Sequence, residues 1–348
     1  MARAVVFAYH NVGVRCLKVL LAGGVDVARG VTHEDAADEN IWFGNVRRTA
    51  LDHGLPVITP ADANAADVVA RVATFAPDFL FSFYYRQMLK PPLLALARRG
   101  ALNMHGSLLP KYRGRAPVNW AVLHGENSTG ASLHYMVEKP DAGDLVSQVE
   151  VPILPDDTAH EVFEKVTVAA ELALWRVLPA LLAGTAPRIP LALSPGNYFG
   201  GRKPEDGRID WRQPARAIHD LVRAVAPPYP GAFTDVAGQR VDVLETRVLA
   251  EDRSALSATA AATAATPGTA TPGTATPGTA GPHPAAPTAP AANAPDTATS
   301  GSAPATLLLD DGRLLALCAD GRRLWLRRLR IDGQELDGAQ FAARFGLV

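Results

Sequence analysis

Residues 101–115 have the sequence A-L-N-M-H-G-S-L-L-P-K-Y-R-G-R. The first four residues form a short apolar run typical of a buried strand, and the Gly- and Pro-containing residues after it are typical of a loop. Asn103 and His105 lie where the predicted strand passes into the predicted loop. We therefore expect this stretch to place two polar side chains at one end of a strand.

Apolar runs and amphipathic stretches alternate through the first half of the chain. They lie at residues 4–8, 14–22, 25–31, 46–53, 56–58, 68–75, 79–83 and 101–104. This alternation predicts an α/β fold with a Rossmann-like, mostly parallel sheet and flanking helices. Open α/β sheets bind ligands beyond the carboxyl ends of their strands, so we expect the chemistry in the loops at 9–13 and after residue 104. The first of these, Y-H-N-V-G, is not a G-x-G-x-x-G motif and does not predict dinucleotide binding.

Helix and strand signals continue to the end of the predicted first domain, residues 1–204. Pro117 marks the start of a helix through residue 124, and strand patterns at 130–137 and 145–151 flank a D-A-G-D turn. A long helix is predicted at 159–183, because D-D-T at its start and Gly184 at its end are capping signals.

The remaining residues, 205–348, predict a smaller OB-like β-barrel domain. Strand patterns lie at 305–309, 314–318 and 324–331. Residues 254–305 are almost entirely Ala, Thr, Pro, Gly and Ser, and T-P-G-T-A recurs within them. Too few large apolar side chains are present there to offset the entropy of ordering the chain. We predict a disordered insertion within a loop of the barrel.

The charge balance bears on the class of partner. Lys and Arg number 34 against 35 Asp and Glu, a net charge of −1 over 348 residues, which removes the broad electrostatic attraction that nucleic-acid-binding proteins usually have. Cys16 and Cys318 lie far apart in apolar surroundings, so buried free thiols are expected, with neither a disulfide nor a metal site. We expect no nucleic-acid partner.

The N-terminus and the apolar stretches bear on localisation. The first ten residues lack the long apolar core and small-residue cleavage site of a signal peptide. The longest apolar stretch, residues 169–182, is interrupted by Glu171, Arg176 and Pro179, and we expect it to be too short and too mixed to cross a bilayer. A cytoplasmic protein without membrane insertion is predicted.

The candidate catalytic residues are Asn103, His105 and Asp141 of the D-A-G-D turn. Each alone has an ordinary structural explanation, because Asn and Asp form turns and a single His is more often structural than catalytic. Together, an amide donor, an imidazole and a carboxylate are the groups needed to move a one-carbon acyl unit onto an amine through a tetrahedral intermediate. The trio predicts a formyl-transfer site, with no metal.

A family resemblance supports this interpretation. Residues 103–120, N-M-H-G-S-L-L-P-K-Y-R-G-R-A-P-V-N-W, together with D-A-G-D, resemble the formyltransferases that use 10-formyltetrahydrofolate, which include methionyl-tRNA and glycinamide-ribonucleotide formyltransferases. F-A-Y-H at 7–10 and F-S-F-Y-Y-R at 81–86 are most similar to the formyltransferase half of ArnA-type bifunctional enzymes of polymyxin resistance. The resemblance implies 10-formyltetrahydrofolate as donor and a UDP-aminosugar, UDP-4-amino-4-deoxy-L-arabinose, as acceptor, a step toward modified lipid A.

The resemblance also implies roles for individual residues. Asn103 would stabilise the oxyanion, His105 would protonate the departing folate nitrogen, and Asp141 would raise the pKa of that imidazole. The folate pocket would comprise Gln87, Met88, Leu89, Arg115, Val137, Glu138, Lys139, Pro140 and Asp141. The nearby cations Lys111, Arg113 and Arg115 are suited to anionic groups, either folate carboxylates or a nucleotide diphosphate.

Two other functions stay open at this point. One is methionyl-tRNA formylation, for which R-R-L-W-L-R-R-L-R at 322–330 is the one basic run. The other is a non-catalytic module that binds folate or a sugar nucleotide. ArnA-type enzymes continue into an NAD-dependent decarboxylase domain, for which these 348 residues leave no room, so a separate decarboxylase partner and a homo-oligomer are both possible.

Overall fold

The computed structural model describes residues 1–37, 39–194, 196–249 and 306–347. The insertion predicted at 254–305 lies outside the described residues. Two sheets organise the described part of the chain, one in each of the two predicted domains. The boundary between these domains, at residues 204 and 205, stays a prediction.

The first sheet is mostly parallel, as predicted. The strands of the N-terminal part are β1 (Arg3–Ala8), β2 (Asp26–Val31), β3 (Val57–Ile58), β4 (Phe79–Phe83), β5 (Gly100–His105), β6 (Arg113–Gly114), β7 (Ser128–Tyr135), β8 (Leu145–Pro152) and β9 (Tyr198–Phe199). Seven of them form one sheet in the order β3-β2-β1-β4-β5-β7-β8, and β6 pairs with β9 separately. The first five strands run parallel, whereas β7 and β8 pair in antiparallel fashion beside β5.

Helices cover both faces of this sheet. They are α1 (His10–Ala22), α2 (Val46–Asp52), α3 (Ala66–Ala73), α4 (Pro91–Leu94), α5 (Pro117–Leu123) and α6 (Ala159–Ala183). Ala4, Val6 and Ala8 of β1 face a core with α1 and α6, whereas Val5 and Phe7 face a core with α3 and α4. A strand buried on both faces has an almost continuous apolar sequence, which explains A-V-V-F-A in β1.

Helix α1 begins earlier than the sequence predicts. We expected residues 14–22, but the helix starts at His10, and Gly13 N–H donates to the Tyr9 carbonyl oxygen over 3.1 Å. The polar residues of its first turn carry no apolar periodicity, so a pattern of buried positions does not register them. Y-H-N-V-G is therefore the start of a helix at the edge of the sheet, and only Tyr9 lies between strand and helix.

Helix α6 matches its predicted bounds because its end signals are local. The Thr158 hydroxyl accepts from Glu161 N–H, the Glu161 carboxylate accepts from Thr158 N–H, and Gly184 ends the helix at φ +77°. By length and composition alone, this helix of 25 residues, with a mean hydropathy of 1.6 over an apolar window of 18 residues, is the one among the described residues that could cross a membrane. The expectation that no segment is long or apolar enough is wrong on that criterion. Half of the apolar window is buried against the rest of the protein, as in a core helix.

The second sheet is antiparallel. A 3-10 turn at Pro204–Gly207 is followed by α7 (Ala215–Val225), β10 (Ala232–Val236), β11 (Gln239–Val248), β12 (Thr306–Asp310), β13 (Arg313–Leu317), β14 (Arg323–Ile331), β15 (Gln334–Leu336) and α8 (Gly338–Phe345). The strand order is β10-β11-β14-β13-β12, with β15 on β14. Among the described residues no pairing of β10 with β12 closes the sheet into a barrel. Cys318 in this core and Cys16 in the first are buried free thiols, as predicted.

Polar contacts hold the second unit against the first. Asn119 of α5 donates from Nδ2 to the Ala224 carbonyl oxygen over 2.9 Å. Arg223, which is buried and paired with Asp220 at 2.7 Å, donates to the carbonyl oxygens of Asp157 and Val122. These contacts fix the start of the second unit beside α5.

Candidate active site

Strand register brings the predicted catalytic residues to one edge of the first sheet. In the antiparallel pairing of β5 with β7, Asn103 lies opposite His134 and His105 lies opposite Ser132. The D-A-G-D turn connects β7 to β8 and carries Asp141 back to the same edge. Three segments that are separate in sequence therefore meet at the carboxyl end of β5.

The structure joins Asn103, His105 and Asp141 through a fourth residue, His134. Asp141 Oδ1 lies 3.6 Å from His105 Nδ1 and 3.5 Å from His134 Nε2. His134 Nε2 lies 3.2 Å from Asn103 Nδ2. The four polar side chains thus form one continuous network, which the sequence analysis describes without His134.

The two ring nitrogens of His105 face different groups. Its Nε2 lies 2.8 Å from the Tyr112 carbonyl oxygen, which only accepts, so Nε2 carries a hydrogen and donates it. The remaining nitrogen, Nδ1, faces Asp141. The His105 ring is buried, at 6% exposure, so the Asp141 carboxylate is the charged group that its Nδ1 meets inside the protein.

Asp141 is held in its ionised form. Burial by itself raises the pKa of Asp141, but the charge of His105 and a backbone hydrogen bond from Gly114 hold the pKa of this carboxyl well below its usual range. The Gly114 N–H donates to Oδ2 over 2.9 Å. Asp141 is therefore an anion at neutral and mildly acidic pH.

His134 fixes the orientation of the Asn103 amide. Its Nδ1 lies 2.8 Å from the Tyr135 carbonyl oxygen and so carries the ring hydrogen, which leaves Nε2 to accept from Asn103 Nδ2. One N–H of the Asn103 amide is thereby used. The second N–H of the same nitrogen is left to donate to a ligand oxygen.

Ser132, a buried residue of β7, and Gln148 of β8 shape the loop that follows β5. The Ser132 hydroxyl donates to the Ser107 carbonyl oxygen over 2.6 Å and accepts from Leu109 N–H and from Gln148 Nε2. Ser132 and His134, which lie two residues apart in β7, are functional candidates that the sequence analysis missed. The signal that could have found them is this pair of polar residues on one face of a buried strand.

The backbone at Gly114 shows why the motif at residues 103–120 has a glycine at this position. Its φ is +100°, and a Cβ at this position would lie 2.2 Å from the Phe199 carbonyl oxygen. Strand β6 runs directly alongside β9 here, since Gly114 pairs with Phe199. Only glycine permits this approach, and the approach places the Gly114 N–H against Asp141.

The predicted folate residues after β4 have structural contacts. Gln87 accepts from Ala63 N–H over 2.8 Å and donates to the Ala61 carbonyl oxygen over 2.7 Å, so both ends of its amide are used. Leu89 is buried, with 6% exposure, and Met88 is exposed at 56%. The folate role of these three residues stays a prediction, in which Met88 has the side chain most accessible to a ligand.

The other predicted folate residues are accessible. Arg115, Val137, Glu138 and Lys139 are exposed, and Pro140 is partly buried beside Asp141. Among the described residues, no hydrogen bond or ion pair engages the Arg115 side chain. These positions are free to contact a ligand, and their role stays a prediction.

His10 introduces an uncharged ring at the same sheet edge, at the start of α1. Its ring stacks on Phe43 with centroids 3.9 Å apart and packs edge-on against Phe163 of α6 at 4.6 Å. Burial, assisted by the charges of Arg86 and His160, lowers the pKa of His10 to about 3. His10 is therefore neutral throughout the physiological range.

The basic run of the C-terminal sheet is compensated by acidic side chains. Four of its arginines form ion pairs, Arg323 with Asp310, Arg327 with Glu245, Arg328 with Glu335 and Arg330 with Asp242. The partners come from β11, β12 and β15. This surface therefore presents much less positive charge than its sequence indicates.

Two family models match the chain. The model described as "Formyl transferase" matches residues 23–178, which include Asn103, His105 and Asp141. The model described as "Formyl transferase, C-terminal domain" matches residues 202–278, of which the described part ends at 249. Together the two models match more than half of the 348 residues.

Solved structures share the fold at low sequence identity. An N-formyltransferase from Helicobacter canadensis, in complex with folinic acid and dTDP-3-aminofucose, superposes with a TM-score of 0.63 at 14% identity over 94% of this chain and 99% of its own. The sugar 3N-formyl transferase WlaRD, solved with dTDP and 5-N-formyl-THF, gives 0.63 at 14% identity over 96% of this chain and 99% of its own. A 4-N formyltransferase from Francisella tularensis gives 0.56 at 21% identity over 69% of this chain and 95% of its own.

Proposed function

Since this chain belongs to the formyl transferase family and is a one-carbon transferase, we propose that it transfers the formyl group of 10-formyltetrahydrofolate to the amine of a nucleotide-linked aminosugar. The observation that carries the proposal is the network of Asn103, His134, Asp141 and His105 at the carboxyl end of β5. It supplies, at one place, a hydrogen-bond donor, a titratable imidazole and an ionised carboxylate.

These groups match the demands of acyl transfer between nitrogens. A bond forms between the formyl carbon and the acceptor nitrogen, the bond from that carbon to the folate nitrogen breaks, and one proton passes from the acceptor amine to the leaving nitrogen. In the proposed mechanism the free N–H of Asn103 donates to the formyl oxygen as negative charge develops on it. His105 exchanges the proton through Nδ1, and Asp141 stabilises its protonated form.

The acceptor we propose is UDP-4-amino-4-deoxy-L-arabinose. The support is the resemblance of F-A-Y-H and F-S-F-Y-Y-R to the ArnA-type branch, together with structural neighbours that include sugar 3-N and 4-N formyltransferases. Compensation of the basic run by Asp and Glu side chains disfavours tRNA as the acceptor. The proposed reaction is a cytoplasmic step toward modified lipid A.

The test is to identify the labelled product. Purified protein receives 10-formyltetrahydrofolate labelled in the formyl group together with one acceptor per tube: UDP-4-amino-4-deoxy-L-arabinose, dTDP-3-aminofucose or methionyl-tRNA. We expect the label on the UDP-sugar amine, and none with the Asp141→Asn protein. Label on the dTDP-sugar alone would overturn the proposed acceptor while retaining a sugar amine, and label on tRNA alone would overturn both. Donor binding without transfer to any acceptor would show a non-catalytic module.

A further inference from the structure

A cavity of about 190 Å³ lies where the first unit meets the start of the second. Its lining includes Ala116, Asn119, Arg202, Lys203, Gly207 and Tyr229. We propose that Arg202 and Lys203, with Arg115 beside them, bind the diphosphate of the nucleotide-sugar acceptor in this cavity. The proposal rests on the proposed function, since it assigns residues to the acceptor of that reaction.

The cavity is next to the candidate active site. Pairing of β6 with β9 places Gly114, whose N–H donates to Asp141, against Phe199. Ala116 of the cavity lies two residues beyond Gly114, and Arg202 lies three residues beyond Phe199. The pairing of β6 with β9 therefore positions both the Asp141 carboxylate and two residues that line the cavity.

Arg202 is a partly buried cation that forms no ion pair with any residue that the structure describes. Its guanidinium lies over the Trp120 ring, 4.8 Å from the ring centre, and Nη2 donates to the Asp206 carbonyl oxygen over 3.0 Å. Its Nε is buried and has no hydrogen-bond partner, and burial lowers the pKa of Arg202 even though the charge of Asp206 opposes this. A partly buried guanidinium with an unpaired N–H gains free energy from an anion that completes its hydrogen bonds.

Two further cations close to Arg202 also lack partners. Within the described residues, the side chains of Lys203 and Arg115 form no ion pair. The Arg115 side chain lies near Gly201, with Nη1 3.9 Å from the position a Cβ would occupy there. Together the three positive charges attract an anion, most strongly beside Arg202, which is partly buried and therefore less screened by water than the exposed Lys203 and Arg115.

Neighbouring arginines in the same part of the chain are all paired, which sets these three apart. Arg208 pairs with Asp235 at 2.6 Å, Arg212 with Asp210 at 2.8 Å and Arg216 with Asp220 at 3.1 Å. The lack of an ion-pair partner is thus confined to the cations at the cavity and is not shared by the arginines that follow in the sequence. An acceptor that carries a nucleoside diphosphate supplies the missing negative charge, and a guanidinium can bind phosphate oxygens in bidentate fashion.

The glutamate carboxylate of the folate donor is a second anion of the reaction. The experiment therefore measures separately whether the cations bind the diphosphate or the folate. Isothermal titration calorimetry would measure UDP binding to the full-length protein and to its Arg202→Gln, Lys203→Gln and Arg208→Gln variants, with 5-formyltetrahydrofolate as the second probe. We expect Arg202→Gln to raise the Kd for UDP about tenfold or more and Lys203→Gln to raise it severalfold, because each removes a charge-assisted contact. Arg208→Gln is the matched control and should change it less than twofold.

Three results would overturn the assignment. If Arg202→Gln and Lys203→Gln weaken 5-formyltetrahydrofolate and leave UDP unchanged, the cations bind the folate. If all variants bind UDP as the parent does, the cavity is not the diphosphate site, whereas formyl transfer to the UDP-sugar can still proceed and the proposed function stands. If the parent protein does not bind UDP, the diphosphate site and the proposed UDP-sugar acceptor both fail. Lys203 is exposed, so its variant keeps the test valid should Arg202→Gln fail to fold.

Discussion

The loops that follow β4 and β5 start from adjacent parallel strands, yet their side chains are used differently. At the end of β5, where its loop begins, Asn103 and His105 form a polar network with His134 around Asp141. After β4, Gln87 binds the backbone of residues 61 and 63, and Leu89 packs in the core. Both loops were assigned to the active site from the same resemblance, but only the β5 loop directs its polar side chains at one another across the site.

The difference separates two kinds of motif residue. A residue whose polar atoms face an ionised carboxylate can act on a substrate, and a residue whose polar atoms are satisfied by the backbone holds the loop in place. Gln87 belongs to the second kind, because its amide is satisfied at both ends. The β4 loop can therefore contact a ligand mainly through its backbone and through the exposed Met88 side chain.

The largest effect is expected from the network itself. His105→Ala and Asp141→Ala should each lower kcat by roughly two decades or more, because proton exchange or its electrostatic support is lost. Steady-state kinetics with saturating donor and acceptor would measure this. His53→Ala, at an exposed helix end, is the control and should be unchanged. A kcat close to that of the parent protein in either His105→Ala or Asp141→Ala would contradict the proposed mechanism.

Substitutions in the loop after β4 should change the free energy of unfolding. Leu89→Ala should cost at least about 2 kcal/mol of unfolding free energy, the lower end for a buried leucine, while Met88→Ala should cost less than about 0.5 kcal/mol. Urea unfolding of both variants would check this. Equal losses would show that Met88 is packed in solution and would erase the contrast between the two loops.

His10, the first residue of α1, extends the comparison to pH. Folded His10 stays neutral down to its pKa of about 3, whereas an unfolded histidine takes up a proton below about 6.5, so between these values the unfolded state binds more protons and stability falls as pH falls. The loss from pH 7 to pH 5 attributable to His10 is up to about 2 kcal/mol. Asn accepts the positive φ of His10, so His10→Asn should flatten the pH dependence of unfolding. His53→Asn should leave the slope as it is, and an equally steep slope in the His10→Asn protein would contradict the assignment.

The smallest effect is expected at His134, which acts through Asn103. His134→Ala should lower kcat about tenfold with little change in KM, since the Asn103 amide loses its fixed orientation while ligand contacts remain. His134→Gln supplies an oxygen that can accept from Asn103 and should restore part of the rate. If His134→Gln and His134→Ala are equally slow and equally destabilised, His134 is only structural.

How much the sequence predicts depends on how local the signal is. Helix α6 was placed correctly because Thr158, Glu161 and Gly184 lie at its own ends. The Asn103, His105 and Asp141 trio was found because a family motif carries it, and the strand alternation placed it at a sheet edge.

Pairings between residues far apart in the chain could not be predicted from the sequence. The role of His134 depends on the register that sets it opposite Asn103, 31 residues away. The compensation of Arg327 depends on Glu245, which is 82 residues away. Neither separation leaves a periodic pattern, because strand pairing is decided by the packing of the whole sheet.

The central claim is that His105 and Asp141 act as one unit, and a double-mutant cycle on kcat tests it most directly. His105→Gln, Asp141→Asn and the double variant would be compared under single-turnover conditions. Residues that act as a unit are strongly non-additive, so we expect the double variant to be about as slow as the slower single variant. Losses that multiply in the double variant would show that the two side chains contribute independently and would contradict the account.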